Sequence, residues 1–163
     1  MPGLLPADPE RFRYLVLALQ RQGSRELNRL FADMGLTTSQ AEALEVLGAY
    51  GPISTKEAGA YLICESGSPS RLLAALAAKG LTVASQSAQD KRLTLHALTP
   101  EGRAAVAAIQ EQNRVFEAEL AQRMDKAASE VDGMGLAQLA ALVTDPELNG
   151  ALRRRFPDLF PAG

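Results

Sequence analysis

Ser66-Gly-Ser-Pro-Ser-Arg-Leu-Leu-Ala-Ala-Leu-Ala-Ala-Lys-Gly-Leu81 is the stretch on which the fold turns. Pro69 stands where a first helical residue loses no useful donor, Leu72, Leu73 and Leu76 recur on one face, and Gly80 supplies a stop. The spacing therefore predicts a helix that starts within 66–69 and ends at Gly80. Just upstream, Ser54 with Glu57 three positions later is the signature of a capping box, opening a helix of about two turns whose Ala58, Tyr61 and Leu62 are free to meet a core. Two short helices joined by a tight polar turn are the parts of a helix-turn-helix.

Working outward, Leu81-Thr-Val-Ala84 and Leu93-Thr-Leu-His-Ala-Leu98 are short β-prone runs around the polar segment 85–92, which predicts a hairpin with a long tip. Thr99-Pro100-Glu101 then starts a long helix in which Val106, Ile109, Asn113, Phe116, Leu120 and Met124 form a stripe in search of a partner. On the other side, Thr37 and Gln40 form a second capping box, opening a helix with Leu44, Val46 and Leu47 on its apolar face and Gly51-Pro52 at its end. The first helix is expected from Asp8-Pro9-Glu10 to Met34, with Gly35 as its stop and Gly23 as a candidate bend. Near the C-terminus Gly133 and Gly135 break the pattern, Leu136, Leu139, Leu142 and Val143 make another apolar face, and Pro146 precedes a last short helix towards Phe156. The fold class is mainly α with a small β-hairpin wing, expected as one 163-residue domain.

Composition agrees. The chain is 47% hydrophobic but only 5% aromatic and has no Trp, so its apolar content is Ala and Leu, which favour helix and argue against an all-β protein. Cys64 stands alone, which rules out an intrachain disulfide and makes the cytoplasm the expected compartment. Residues 1–10 carry three prolines and no continuous apolar run, unlike a signal peptide, and no apolar stretch reaches the length of a membrane span. A net charge of −2 argues against a strongly basic nucleic-acid binder. The charge is unevenly spread, however. Between Ser54 and Arg92 stand Lys56, Arg71, Lys79, Lys91 and Arg92 against Glu57, Glu65 and Asp90, a lobe of +2 against −4 elsewhere.

The chemistry of the 66–80 helix favours DNA. Hydroxyls at Ser66, Ser68 and Ser70 suit phosphates or base edges, the helix start adds free N–H groups, and Arg71 supplies a forked cation for guanine or phosphate. Lys56, in the preceding helix, belongs with these DNA-facing cations.

The 66–81 segment, then Asp90-Lys91-Arg92 at the hairpin tip and Leu98-Thr99-Pro100-Glu101-Gly102, together resemble the MarR family of bacterial transcription regulators over about residues 35–105. The resemblance implies a homodimeric winged helix-turn-helix regulator, with a DNA-binding lobe at 37–99 and a helical dimerisation region formed by 8–34 with 100–156. It further implies double-stranded DNA as partner and a pseudo-palindromic operator. Many members are repressors released by a small aromatic or phenolic effector. In this likeness Lys91 and Arg92 reach the flanking minor groove or its phosphates, with Asp90 bracing a neighbouring Arg. Ala74 and Ala75 stand where the family often has Arg or Asp, and the basic surface is thin, so a second reading stays open: a winged-helix dimer without DNA binding, serving as a protein-interaction or small-molecule-binding module.

Plainer readings accompany several residues. Ser66 to Arg71 also suit a capped surface helix, and Asp90-Lys91-Arg92 a solvated tip. Cys64 fits a buried structural thiol, and His96, without ligands at metal spacing, an ordinary strand residue. Arg153-Arg154-Arg155 suit the favourable C-terminal end of a helix dipole, or else a DNA-grazing or partner-facing patch. No catalytic constellation or glycine-rich phosphate loop is present, so neither an enzyme nor a cofactor is expected.

Overall fold

Local capping chemistry sets where several of the helices begin. The computed structural model describes residues 9–64, 67–128, 146–157 and 160, with backbone alone for residues 9, 11, 12, 14, 15 and 126–128. Asp8, Ser66, Gly133, Gly135 and the apolar face at 136–143 lie outside the described residues. In chain order stand α1 (Pro9–Ala32), α2 (Thr38–Tyr50), β1 (Ile53–Ser54), α3 (Thr55–Gly59), α4 (Pro69–Ala78), β2 (Thr82–Gln86), β3 (Thr94–Leu98), α5 (Pro100–Ala128) and α6 (Pro146–Arg155).

Both predicted capping boxes form. Thr37 Oγ1 accepts from the Gln40 N–H at 3.2 Å while Gln40 Oε1 accepts from the Thr37 N–H at 3.3 Å. At α3, Ser54 Oγ accepts from the Glu57 N–H at 3.2 Å and Glu57 Oε2 accepts from the Ser54 N–H at 2.8 Å. These contacts hold the Glu57 carboxyl below the usual carboxylate range, with the Ser54 hydroxyl the largest cause. α4 ends as predicted at Gly80, whose φ of 72° admits the closing bonds from the Leu81 N–H to the Leu76 carbonyl and from the Gly80 N–H to the Ala77 carbonyl. α1 runs unbroken through Gly23.

The expected hairpin is part of a three-stranded antiparallel sheet in the order β1-β3-β2. β2 and β3 pair from Thr82↔Leu98 to Gln86↔Thr94, and β1 adds Ile53↔His96 and Ser54↔Leu95 on the other edge of β3. A two-residue strand shows no alternation of its own, which is why the sequence pattern missed it.

The core lies where α1, α2, α4 and α5 meet. Leu44, Leu73, Leu76 and Ile109 are fully enclosed, joined by Phe31, Leu36 and Val106. Each side chain of this kind is worth about 1.5–3 kcal/mol of burial. Leu47, Ala58 and Leu73 extend the packing beneath the sheet towards Ile53 and Leu98. Thr99 joins the end of α4 to the start of α5: its hydroxyl donates to the Gly80 carbonyl at 2.7 Å and accepts from the Gly102 N–H at 3.0 Å, while its own N–H donates to the Leu81 carbonyl at 3.1 Å. Gly102 is required there, because a Cβ would stand 1.9 Å from the Leu81 carbonyl oxygen.

Candidate nucleic-acid interface

The first turn of α4 presents the residues singled out from sequence. Pro69 opens the helix and Ser68 is its N-cap, its side chain accepting from the Arg71 N–H at 3.5 Å. Ser68 is half-buried, and its oxygen serves the helix start. Ser70 and Arg71 are exposed on that first turn, while Leu72, Leu73 and Leu76 bury the opposite face. Lys56 is exposed on α3.

The hairpin tip is held in shape by its own side chains. Ser87 is buried, its N–H donates to the Leu93 carbonyl at 2.9 Å, and its hydroxyl accepts from the N–H groups of Gln89 at 3.2 Å and Asp90 at 3.3 Å. Asp90 Oδ1 accepts from the Arg92 backbone N–H at 2.9 Å, so Asp90 braces the turn through the main chain of Arg92. Lys91 and Arg92 stand exposed at the tip. Lys79, counted among the cations of this lobe, is spent elsewhere: its ammonium donates to the Gly35 carbonyl and, at 2.9 Å, to Gln40 Oε1.

Sequence reasoning missed Glu42. This α2 carboxylate is 6% exposed. It accepts from the N–H groups of Ile63 and Cys64, both at 2.9 Å, in the turn that leads to α4. The available signal was its position one turn before buried Val46, on a face with no need of charge. Its cation is Arg155 of α6, at 2.7 Å. The Arg153–Arg155 cluster is thus more than a helix-end ornament. Arg154 donates to the Ala60 carbonyl at 3.0 Å, and Arg153 bonds Asn149 at 2.7 Å and lies over the Phe160 ring at 4.2 Å.

Cys64 is half-buried and its thiol is pushed up to about 11, first by burial and then by the Glu42 charge. A thiol so protonated is a poor nucleophile at neutral pH, in keeping with a structural role. His96 on β3 is half-buried, its Nε2 lies 2.9 Å from Thr55 Oγ1, and burial lowers its pKa. It ties the central strand to the start of α3.

Beside this surface, a cleft of about 1320 Å³ opens between α1, the start of α2, the α3–α4 turn and α6, with Ser24, Asn28, Thr38, Lys56, Leu62 and Arg154 on its walls. Among the described residues no helix is long and apolar enough to cross a membrane.

A family model described as a winged helix DNA-binding domain matches residues 36–102. No protein of curated function matches the chain. Among solved structures, a probable transcriptional regulator from Pseudomonas aeruginosa is similar at 30% identity and TM-score 0.55, covering 69% of this chain and 89% of the other. A MarR-family regulator from Silicibacter pomeroyi is similar at 24% identity and TM-score 0.58, over 87% and 88%. The S. aureus MepR–DNA complex is similar at 22% identity and TM-score 0.63, over 69% and 83%. The winged-helix match and the 30%-identical relative make the chain a winged-helix transcriptional regulator, and its fold is the one that the MarR-family structures share.

Proposed function

We propose that this DNA-binding regulator works in the cytoplasm as a homodimeric repressor on a pseudo-palindromic operator, each protomer laying α4 in a major groove and its wing tip along the flanking minor groove. The observation that carries the reading is the exposure of Ser70 and Arg71 on the first turn of α4, on the lobe whose pre-shaped tip exposes Lys91 and Arg92. The winged-helix relative MepR is known in complex with DNA, which supports the same use of this lobe. Residues 37–99 form the reading lobe, and 8–34 with 100–156 pair the protomers. The cleft beside Lys56 and Arg154 is the place for a small aromatic or phenolic effector, whose anionic oxygen those two cations suit.

The test is a titration of duplex DNA from the promoter of its own gene. Arg71→Ala is expected to weaken binding by about 1–3 kcal/mol and to relax discrimination at one position, whereas Arg92→Ala weakens all sequences alike and lowers the salt slope by about one. Binding that survives both changes overturns the assignment of contacts. Absence of any specific shift in wild type favours a dimer that binds protein or small molecules instead.

A further inference from the structure

The turn between α3 and α4 directs its polar groups onto a single side chain from another helix. Glu42 Oε1 accepts from the Ile63 N–H and Oε2 from the Cys64 N–H, so the carboxylate plane fixes two successive peptide units just ahead of α4. A carboxylate 6% exposed is stable only if paired, and its partner comes from the far end of the chain: Arg155 Nη1 at 2.7 Å from Oε1. Next to it, Arg154 donates to the Ala60 carbonyl at the end of α3. α6 therefore grips the turn at both sides, at Ala60 directly and at 63–64 through Glu42. Ala151 of α6 is buried at 1% exposure, so the helix is seated rather than merely tethered by charge. Beside Ala60, Gly59 lets Pro69 of α4 pack close, its absent Cβ lying 3.0 Å from Pro69 Cγ.

We infer that Glu42 and Arg155 are positioning residues for sequence recognition: α6 sets the angle of α4 through the carboxylate that holds Ile63 and Cys64. This rests on the DNA-binding reading proposed above. Glu42 is enclosed, and the Arg155 charge is turned inward onto it, so their effect on DNA passes through the turn. A displaced α4 forfeits aligned base contacts while keeping the diffuse attraction of cations for phosphate, because only the former depend on angle.

The experiment selects a duplex from a random-sequence pool with the wild-type protein, then compares affinities for that duplex and a scrambled one at fixed salt. Arg155→Met is expected to lose about tenfold on the selected duplex, with the scrambled duplex bound as before. Arg155→Lys, which restores a cation, recovers most of the loss. Hydrogen exchange at the Ile63 and Cys64 amides speeds up in Arg155→Met and returns towards wild type in Arg155→Lys. Should Arg155→Met fail to fold, Glu42→Gln carries the same test, since it keeps the shape while removing the charge and one of the two oxygens that hold Ile63 and Cys64. Equal losses on both duplexes, or no loss on either, overturn the inference. Two outcomes separate the levels: if the pool yields no enriched sequence, the DNA reading itself falls and takes the inference with it, and if Arg71→Ala binds the selected duplex like wild type, α4 is not the reading element and the inference falls while DNA binding stands.

Discussion

Glu45 is half-buried on α2, where Asn113 of α5 donates to it at 2.9 Å. Burial raises its pKa, and the Asn113 bond and the Arg155 charge offset only part of that. Because the folded-state value lies above the unfolded one, folding favours the neutral form; the associated stability is present below the ordinary carboxylate range and is lost as pH rises through the folded value. Glu45→Gln keeps an acceptor for Asn113 and removes the charge. It is expected to raise Tm at pH 7 by roughly 2 °C, with the difference closing near pH 4. Equal or lower Tm at pH 7 by calorimetry contradicts this. The exposure of Arg71, Lys91 and Arg92 was legible from sequence because it follows from local pattern at a helix start or hairpin tip. Glu42 and Ser87 were not, because their work is done on backbone N–H groups, which no residue type announces, and in the case of Glu42 those groups lie 21 and 22 positions away.

Helix boundaries were the most readable elements, since a capping box is completed within three residues and needs nothing from the tertiary structure. β1 and the hold of α6 on the turn depend on partners far along the chain and left no local trace. The Leu-Thr-Pro-Glu-Gly run was recognised as a pattern, and its physical reason lies in the joint: Thr99 caps α5 and holds the end of α4, and Gly102 makes room for the Leu81 carbonyl. Gly102→Ala is therefore expected to cost about 2–4 kcal/mol. Gly23, in the helix interior with nothing within 4 Å of an added Cβ, behaves oppositely, and Gly23→Ala is expected to stabilise by about 0.5–1 kcal/mol. Urea unfolding of the two variants checks the pair, and a tolerated Gly102→Ala contradicts the joint.

Across the whole molecule, apolar surface remains open on the long helices: Val16, Leu17 and Leu19 on α1, at 45%, 46% and 69% exposure, and Val115, Leu120 and Met124 on α5, at 48%, 39% and 50%. The apolar stripe expected along the long helix is buried as far as Ile109, half-buried at Asn113 and Phe116, and open to solvent at Leu120 and Met124, which supports a second copy as its cover. Wild type is expected to sediment as two chains, and Leu120→Glu combined with Met124→Glu as one, with loss of specific DNA binding. A single-chain wild type contradicts the pairing. In such a pair the clamp formed by Thr99 and Gly102 has a mechanical outcome. Since the carbonyls of Gly80 and Leu81 are held by the first turn of α5, α4 is bound to the roll of that shaft. The shaft is 29 residues long, a lever arm of about 40 Å. A slight scissoring between two such shafts would be magnified along their length and would change the stride between the two reading heads.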